Sequence, residues 1–139
     1  MRFAILSIII LLFFGCMHSD QMSDVRINKI DSNSITLSGL DKNIIADIGR
    51  DTTAGIWQTL LPVYKMPADT DMKDFQNPQP GKYAVKDTLV IFDPDTAFKK
   101  GQTYFVRYFD YQGAKSAWQI LSEKKRLGAA KYRDLPFSY

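Results

Sequence analysis

Thr103-Tyr104-Phe105-Val106-Arg107-Tyr108-Phe109-Asp110-Tyr111 is the strongest strand signal in the chain, and its reading decides the fold. Side chains alternate across a strand, so Tyr104, Val106 and Tyr108 share one face and Phe105, Arg107 and Phe109 share the other. From Tyr104 to Phe109 both faces are apolar or aromatic, with Arg107 the one exception. A strand apolar on both sides is covered on both sides, which predicts a central position in a sheet.

Shorter strands precede it. Val25-Arg26-Ile27-Asn28 and Ile35-Thr36-Leu37-Ser38 alternate about the turn cluster Asp31-Ser32-Asn33-Ser34, the pattern of a hairpin. Lys82–Val85 and Thr88–Phe92 flank Lys86-Asp87 and predict a second hairpin. Ile56–Tyr64 (IWQTLLPVY) reads as a strand at an edge or with a bulge, because Pro62 removes a ladder donor. Ile44, Ile45 and Ile48 fit either one helical face or a strand, and periodicity alone leaves both open. Met66–Gly81, with Pro67, Pro78 and Pro80, reads as a long surface connection. After Gln112-Gly113-Ala114 the run Ser116–Leu121 reads as a returning strand. Short strands with turns between them, and no βαβ alternation, predict an all-β antiparallel sandwich of about seven strands. Its core draws on Trp57, Trp118, Tyr64, Tyr83, Phe92, Tyr104, Phe105, Tyr108 and Phe109.

Two resemblances sharpen this reading. Arg2 followed by the apolar run Phe3–Phe14 and then Gly15-Cys16 resembles a bacterial lipoprotein signal peptide, with Phe13-Phe14-Gly15-Cys16 as its lipobox. A dozen apolar residues suit a signal-peptide core and are too few to span a bilayer as a helix. The resemblance implies cleavage before Cys16, acylation of its thiol, and a cell-envelope protein. Met17 in the next position implies delivery to the outer membrane. The second resemblance lies in Asp87-Thr88-Leu89-Val90-Ile91-Phe92-Asp93-Pro94 and Phe98-Lys99-Lys100-Gly101-Gln102-Thr103-Tyr104, which is similar to bacterial immunoglobulin-like domains. It implies a Greek-key sandwich in which Tyr104 is a corner tyrosine whose hydroxyl bonds backbone across the turn. The expected organisation is a signal peptide (1–15), a tether (16–24), the sandwich (25–122) and a basic C-terminal segment (123–139).

Composition removes several chemistries. Of the 139 residues, 124 follow the expected cleavage site, carrying 17 basic and 15 acidic side chains. That near balance gives no global electrostatic case for nucleic acid. Cys16 is the only cysteine, so an internal disulfide and a thiolate metal cluster are both ruled out. His18, the only histidine, falls in the expected tether, where a general base would lack fixed geometry. No phosphate-binding glycine loop and no zinc-protease motif occurs, and the expectation is a protein without enzyme activity, cofactor or metal. Asp69-Thr70-Asp71-Met72-Lys73-Asp74 superficially matches a calcium loop, but Lys73 takes a ligand position and no glutamate closes it.

Loops on a rigid sandwich commonly carry recognition, so Asp69, Asp71, Asp74 and Phe75 mark the expected partner-binding segment. Lys124, Lys125, Arg126, Lys131 and Arg133 form the local charge bias and read either as a solvated tail or as a contact for anionic headgroups. The functional expectation is a lipid-anchored, non-catalytic module that holds an envelope protein. An inhibitor or immunity-type lipoprotein and a carbohydrate- or ligand-binding domain are the alternatives.

Overall fold

The computed structural model of the chain describes residues 24–31, 33–50, 55–109 and 132–139. Seven strands occur among them: β1 (Arg26–Lys29), β2 (Ile35–Ser38), β3 (Val63–Lys65), β4 (Gly81–Lys86), β5 (Leu89–Pro94), β6 (Thr103–Phe109) and β7 (Tyr132–Ser138). They form two antiparallel sheets, one of four strands in the order β1-β2-β5-β4 and one of three in the order β3-β6-β7. Two short helices, α1 (Lys42–Arg50) and α2 (Ile56–Leu60), lie between β2 and β3. The described residues are mostly β, in two antiparallel sheets consistent with the all-β sandwich that the alternation predicts.

Both sequence hairpins are present, each with a physical cause. At the first turn the Asp31 carboxylate accepts from the backbone N–H groups of Asn33 (2.7 Å) and Ser34 (2.9 Å), which closes the chain on itself. At the second, Asp87 takes a φ of 56°, a left-handed conformation that aspartate tolerates better than most residues. The inward faces are Ile35 and Leu37 on β2, Val90 and Phe92 on β5, and Tyr104, Val106 and Tyr108 on β6, all buried in one cluster. Gly81 sits where a Cβ would fall 2.5 Å from the Phe92 ring, so only glycine lets β4 approach β5 there.

The last core layer comes from outside the ladders. Phe98, in the connection from β5 to β6, meets Phe92 (6.3 Å between centroids), Tyr104 (4.8 Å), Phe137 (5.3 Å) and Tyr139 (4.9 Å). The Tyr139 hydroxyl lies within hydrogen-bond reach of the carbonyls of Asp31 and Ser34, its one proton going to either, and Lys29 donates to the Ser138 carbonyl at 2.7 Å. The two sheets are therefore laced together along the β1/β7 side. On the other side the Tyr83 hydroxyl donates to the Leu61 carbonyl at 2.6 Å, and burial pushes its phenol well above the ordinary tyrosine range.

Tyr104 ties its strand to the turn before it. Its buried hydroxyl accepts the Lys99 backbone N–H at 3.0 Å, pinning the turn that precedes β6. Removing that acceptor leaves the Lys99 amide without it, so Tyr104→Phe is expected to cost about 1 kcal/mol. Urea denaturation measures this, and an unshifted midpoint would remove that tie from the account.

Two readings change, and one left open is settled. Ile56–Tyr64 is not one strand: Ile56–Leu60 is helical, Pro62 ends the turn, and only Val63–Lys65 is extended. The buried residues Ile56 and Leu60 are four apart, a helical spacing, and a short apolar run does not separate helix from strand. The isoleucine-rich stretch forms α1, with Ile45 buried. The sandwich also does not stop at residue 122, because β7 pairs with the whole length of β6 from Thr103↔Ser138 to Phe109↔Tyr132. The charge of the C-terminal segment hid a strand whose Leu135 and Phe137 pack on the core. Ser116–Leu121 and Trp118 lie outside the described residues.

Candidate functional site

The outer face of the β3-β6-β7 sheet is where the sequence leaves a question, because Arg107 interrupts an apolar strand. Register places Tyr64, Phe105 and Pro136 in one row across the three strands, and sets Arg107 opposite Asp134 in the next. Phe109 and Tyr132 complete the face. Phe105 is fully buried yet stands outside the main core cluster, so something covers this side as well.

That cover is a 3-10 helix, Thr70–Phe75, which crosses the sheet as a strap. The Asp69 carboxylate caps its start by accepting the Asp71 N–H at 3.0 Å. A 3-10 helix repeats every three residues, so side chains three apart stand in line. Thr70 and Lys73 make one ridge, Asp71 and Asp74 a second, Met72 and Phe75 a third. Lys73 turns down onto the sheet, 4.7 Å over the Phe105 ring, and pairs with Asp134 at 2.9 Å. Asp74 accepts from Arg107 at 2.7 Å and from the Tyr132 hydroxyl at 3.2 Å.

Arg107 is the centre of this clasp. Its guanidinium holds Asp134 through two bonds, Nε to Oδ1 at 2.8 Å and Nη2 to Oδ2 at 2.9 Å. Its flat face lies 3.9 Å from the Tyr132 ring centre, and Tyr64 and Phe105 are each 5.6 Å away. A planar cation with five donors fits this combination of a bidentate carboxylate and aromatic walls; lysine would not. Burial alone pushes the Asp134 carboxyl up; the hydrogen bonds and charges of Arg107 and Lys73 outweigh it and hold the group below the ordinary aspartate value. The hydrogen bond to Asp134 raises the Arg107 pKa against the opposing pull of burial.

The strap's third ridge faces away from the protein. Met72 is 48% exposed and Phe75 76% exposed, the most exposed large apolar side chain among the described residues. An open cleft of about 410 Å³ adjoins the strap's C-terminal end, between Met66, Pro67, Gln76 and Gln102, with no aromatic ring in its lining.

Comparison with protein-family models, curated proteins and solved structures finds no match for this chain.

Of the predicted site residues, the structure brings Asp69, Asp71, Asp74 and Phe75 together on the strap. It divides them by task. Asp69 shapes the helix start, Asp74 is half of a clasp, and Asp71 and Phe75 face solvent. The strap is held down on the sheet through Lys73 and Asp74. Cys16, Lys124, Lys125, Arg126 and Lys131 lie outside the described residues. Arg133 belongs to β7 opposite Tyr108 and is half-buried, so it is not part of a solvated tail. Among the described residues no three His, Cys, Asp or Glu side chains gather as a metal site would need. Lys73, Arg107, Tyr132 and Asp134 were missed as a group. The signal was the parity of Arg107 with Phe105 and Phe109: a charge on a covered face requires a partner above it.

Proposed function

We propose that this chain is a non-catalytic, lipid-anchored module of the bacterial cell envelope that docks a partner protein through the 3-10 strap. The observation that carries the docking half is the Met72/Phe75 ridge, an exposed apolar pair held on a backbone fixed from beneath by the Arg107 clasp. Fully burying one such side chain contributes about 1.5–3 kcal/mol, enough for Phe75 to dominate a small interface. Pre-organisation adds to this, since a segment already ordered loses less entropy on binding.

An immunoglobulin-like sandwich suits that role, and the strand order supports reading this fold as one. The first, second, fifth and fourth strands in one sheet and the third, sixth and seventh in the other follow the seven-strand constant-type arrangement. Tyr104 near the start of the sixth strand is in keeping with it. On this reading the strap is the connection between the third and fourth strands. The alternative of a carbohydrate-binding domain finds less support, because the cleft beside the strap offers no ring for a sugar to stack on.

Envelope attachment rests on the likeness of Phe13-Phe14-Gly15-Cys16 to a lipobox. Two or more acyl chains, at about 0.8 kcal/mol per buried methylene, would make attachment effectively permanent. Cys16→Ser is expected to abolish metabolic labelling with palmitate and to shift the protein out of the membrane fraction; persistent labelling would refute the anchor. The docking half is tested by a photo-crosslinking residue in place of Phe75 in intact cells, with one in place of exposed Lys86 on β4 as control. A crosslink specific to the strap, lost when Met72→Ser is added, is the expected result. No strap-specific crosslink overturns the docking reading. Phe75→Ser is expected to leave the unfolding free energy from urea denaturation within about 0.5 kcal/mol of the parent, since its ring is mostly in water.

A further inference from the structure

We infer that the strap's partner is a basic polypeptide segment carrying one apolar anchor, an inference that rests on the docking reading above. The strap is amphipathic in an unusual sense: its solvent side combines an apolar ridge with an acidic one. Met72 and Phe75 stand in line, and the three-residue repeat places Asp71 and Asp74 in line beside them. Asp71 is exposed, and the Asp74 side chain stays 61% exposed while its Oδ1 serves Arg107 and Tyr132. Asp69 at the helix start is exposed as well. Two cations of this region, Lys73 and Arg107, point the other way, while Lys65 is exposed at the cleft beside the strap's end. Lys73 and Arg107 are drawn under the strap to Asp134, which leaves the outer surface with an acidic bias.

A binder that covers Phe75 therefore brings its flanking groups up against carboxylates. Acidic flanks would be repelled, and basic ones would be attracted over about a Debye length. The same bias disfavours an anionic bilayer as the occupant, although an exposed phenylalanine alone would suit a membrane surface. It disfavours nucleic acid for the same reason.

The test uses the full folded chain, isotope-labelled, and four probes. These are a lysine-rich peptide with one central leucine, the same peptide with glycine for leucine, a glutamate-rich peptide with the leucine, and anionic phospholipid vesicles. The expected result is that the lysine-leucine peptide perturbs amide resonances of residues 69–76, that the glycine version binds about tenfold more weakly, and that the glutamate peptide and the vesicles do not bind. Asp71→Asn, outside the clasp, is expected to weaken the lysine-leucine peptide and flatten its salt dependence while leaving the fold unchanged. Phe75→Ser abolishes the shifts. Equal binding of the glutamate peptide, binding of vesicles through the strap, or no peptide shift at residues 69–76 overturns the inference. So does self-association of the chain that Phe75→Ser abolishes, because the occupant would then be a second copy. The two levels separate cleanly: a crosslinked partner that meets the strap with acidic or uncharged residues overturns the basic-segment inference and leaves docking standing.

Discussion

Arg107→Met is expected to destabilise the protein by about 3–5 kcal/mol, the largest effect of any single substitution at the strap. The size follows from where the charges sit. The Arg107 side chain is 10% exposed and that of Asp134 11%, so removing the guanidinium strands a carboxylate in a nearly dry site with only Lys73 beside it. The pair with Asp74 adds little, because that carboxylate is largely in water. Methionine keeps much of the side-chain volume between Tyr132, Tyr64 and Phe105, which isolates charge loss from packing loss. Adding Asp134→Leu is then expected to recover most of the loss, since a buried ion pair replaced by apolar groups is often neutral. Urea denaturation of the parent, both single variants and the double variant gives the coupling directly. Simple additivity of the two losses would mean that the clasp is not a unit.

Acid should act on the same pair. Asp134 is held below its ordinary value of 3.8, so its contribution is fully present above that value and is lost as pH falls through the lower, folded-state one. In the Arg107→Met variant burial acts against the charged form without its main counterion, and protonation relieves the strain. The stability gap between parent and variant should therefore narrow below about pH 4. A gap independent of pH would show that the loss came from packing.

Phe98→Ala is the second large effect, expected at about 3–5 kcal/mol and a fall in Tm on the order of 10 °C or more. Phe98 belongs to no strand, yet its ring touches Phe92 from one sheet and Tyr104 and Phe137 from the other, with Tyr139 stacked on it at an interplanar angle of 15°. Deleting it opens a cavity where the sheets meet, and contact with four rings leaves no single neighbour able to fill the space. Phe98→Leu, which retains most of the volume, is expected to cost about 1.5 kcal/mol. Equal melting of the alanine and leucine variants would mean the ring is not the joint between sheets.

Much of the architecture was legible because it is local. Alternation in β2, β5 and β6 depends on neighbouring residues alone, and it identified the inward faces, both hairpins and the position of Tyr104. The bond between Lys99 and Tyr104 is local too, five residues apart, but it was expected from the resemblance to immunoglobulin-like domains and not from alternation. Where local signals conflicted, the reading failed: Ile56–Leu60 is apolar enough for either state, and packing against the rest of the core selects the helix. The same limit applied at the C-terminus, where charge around Tyr132–Ser138 masked a strand whose partner begins nearly thirty positions earlier.

The strap illustrates the division most clearly. Sequence alone marked Asp69, Asp71, Asp74 and Phe75 as one segment and Arg107 as a misfit in an apolar strand. It held no record that the two belong together, because Arg107 meets Asp74 across 33 positions and Asp134 across 27. Short-range periodicity fixes which way a side chain points, since backbone geometry repeats over two or three residues. What that side chain then meets depends on how the chain reverses, and only the packed sheets settle it.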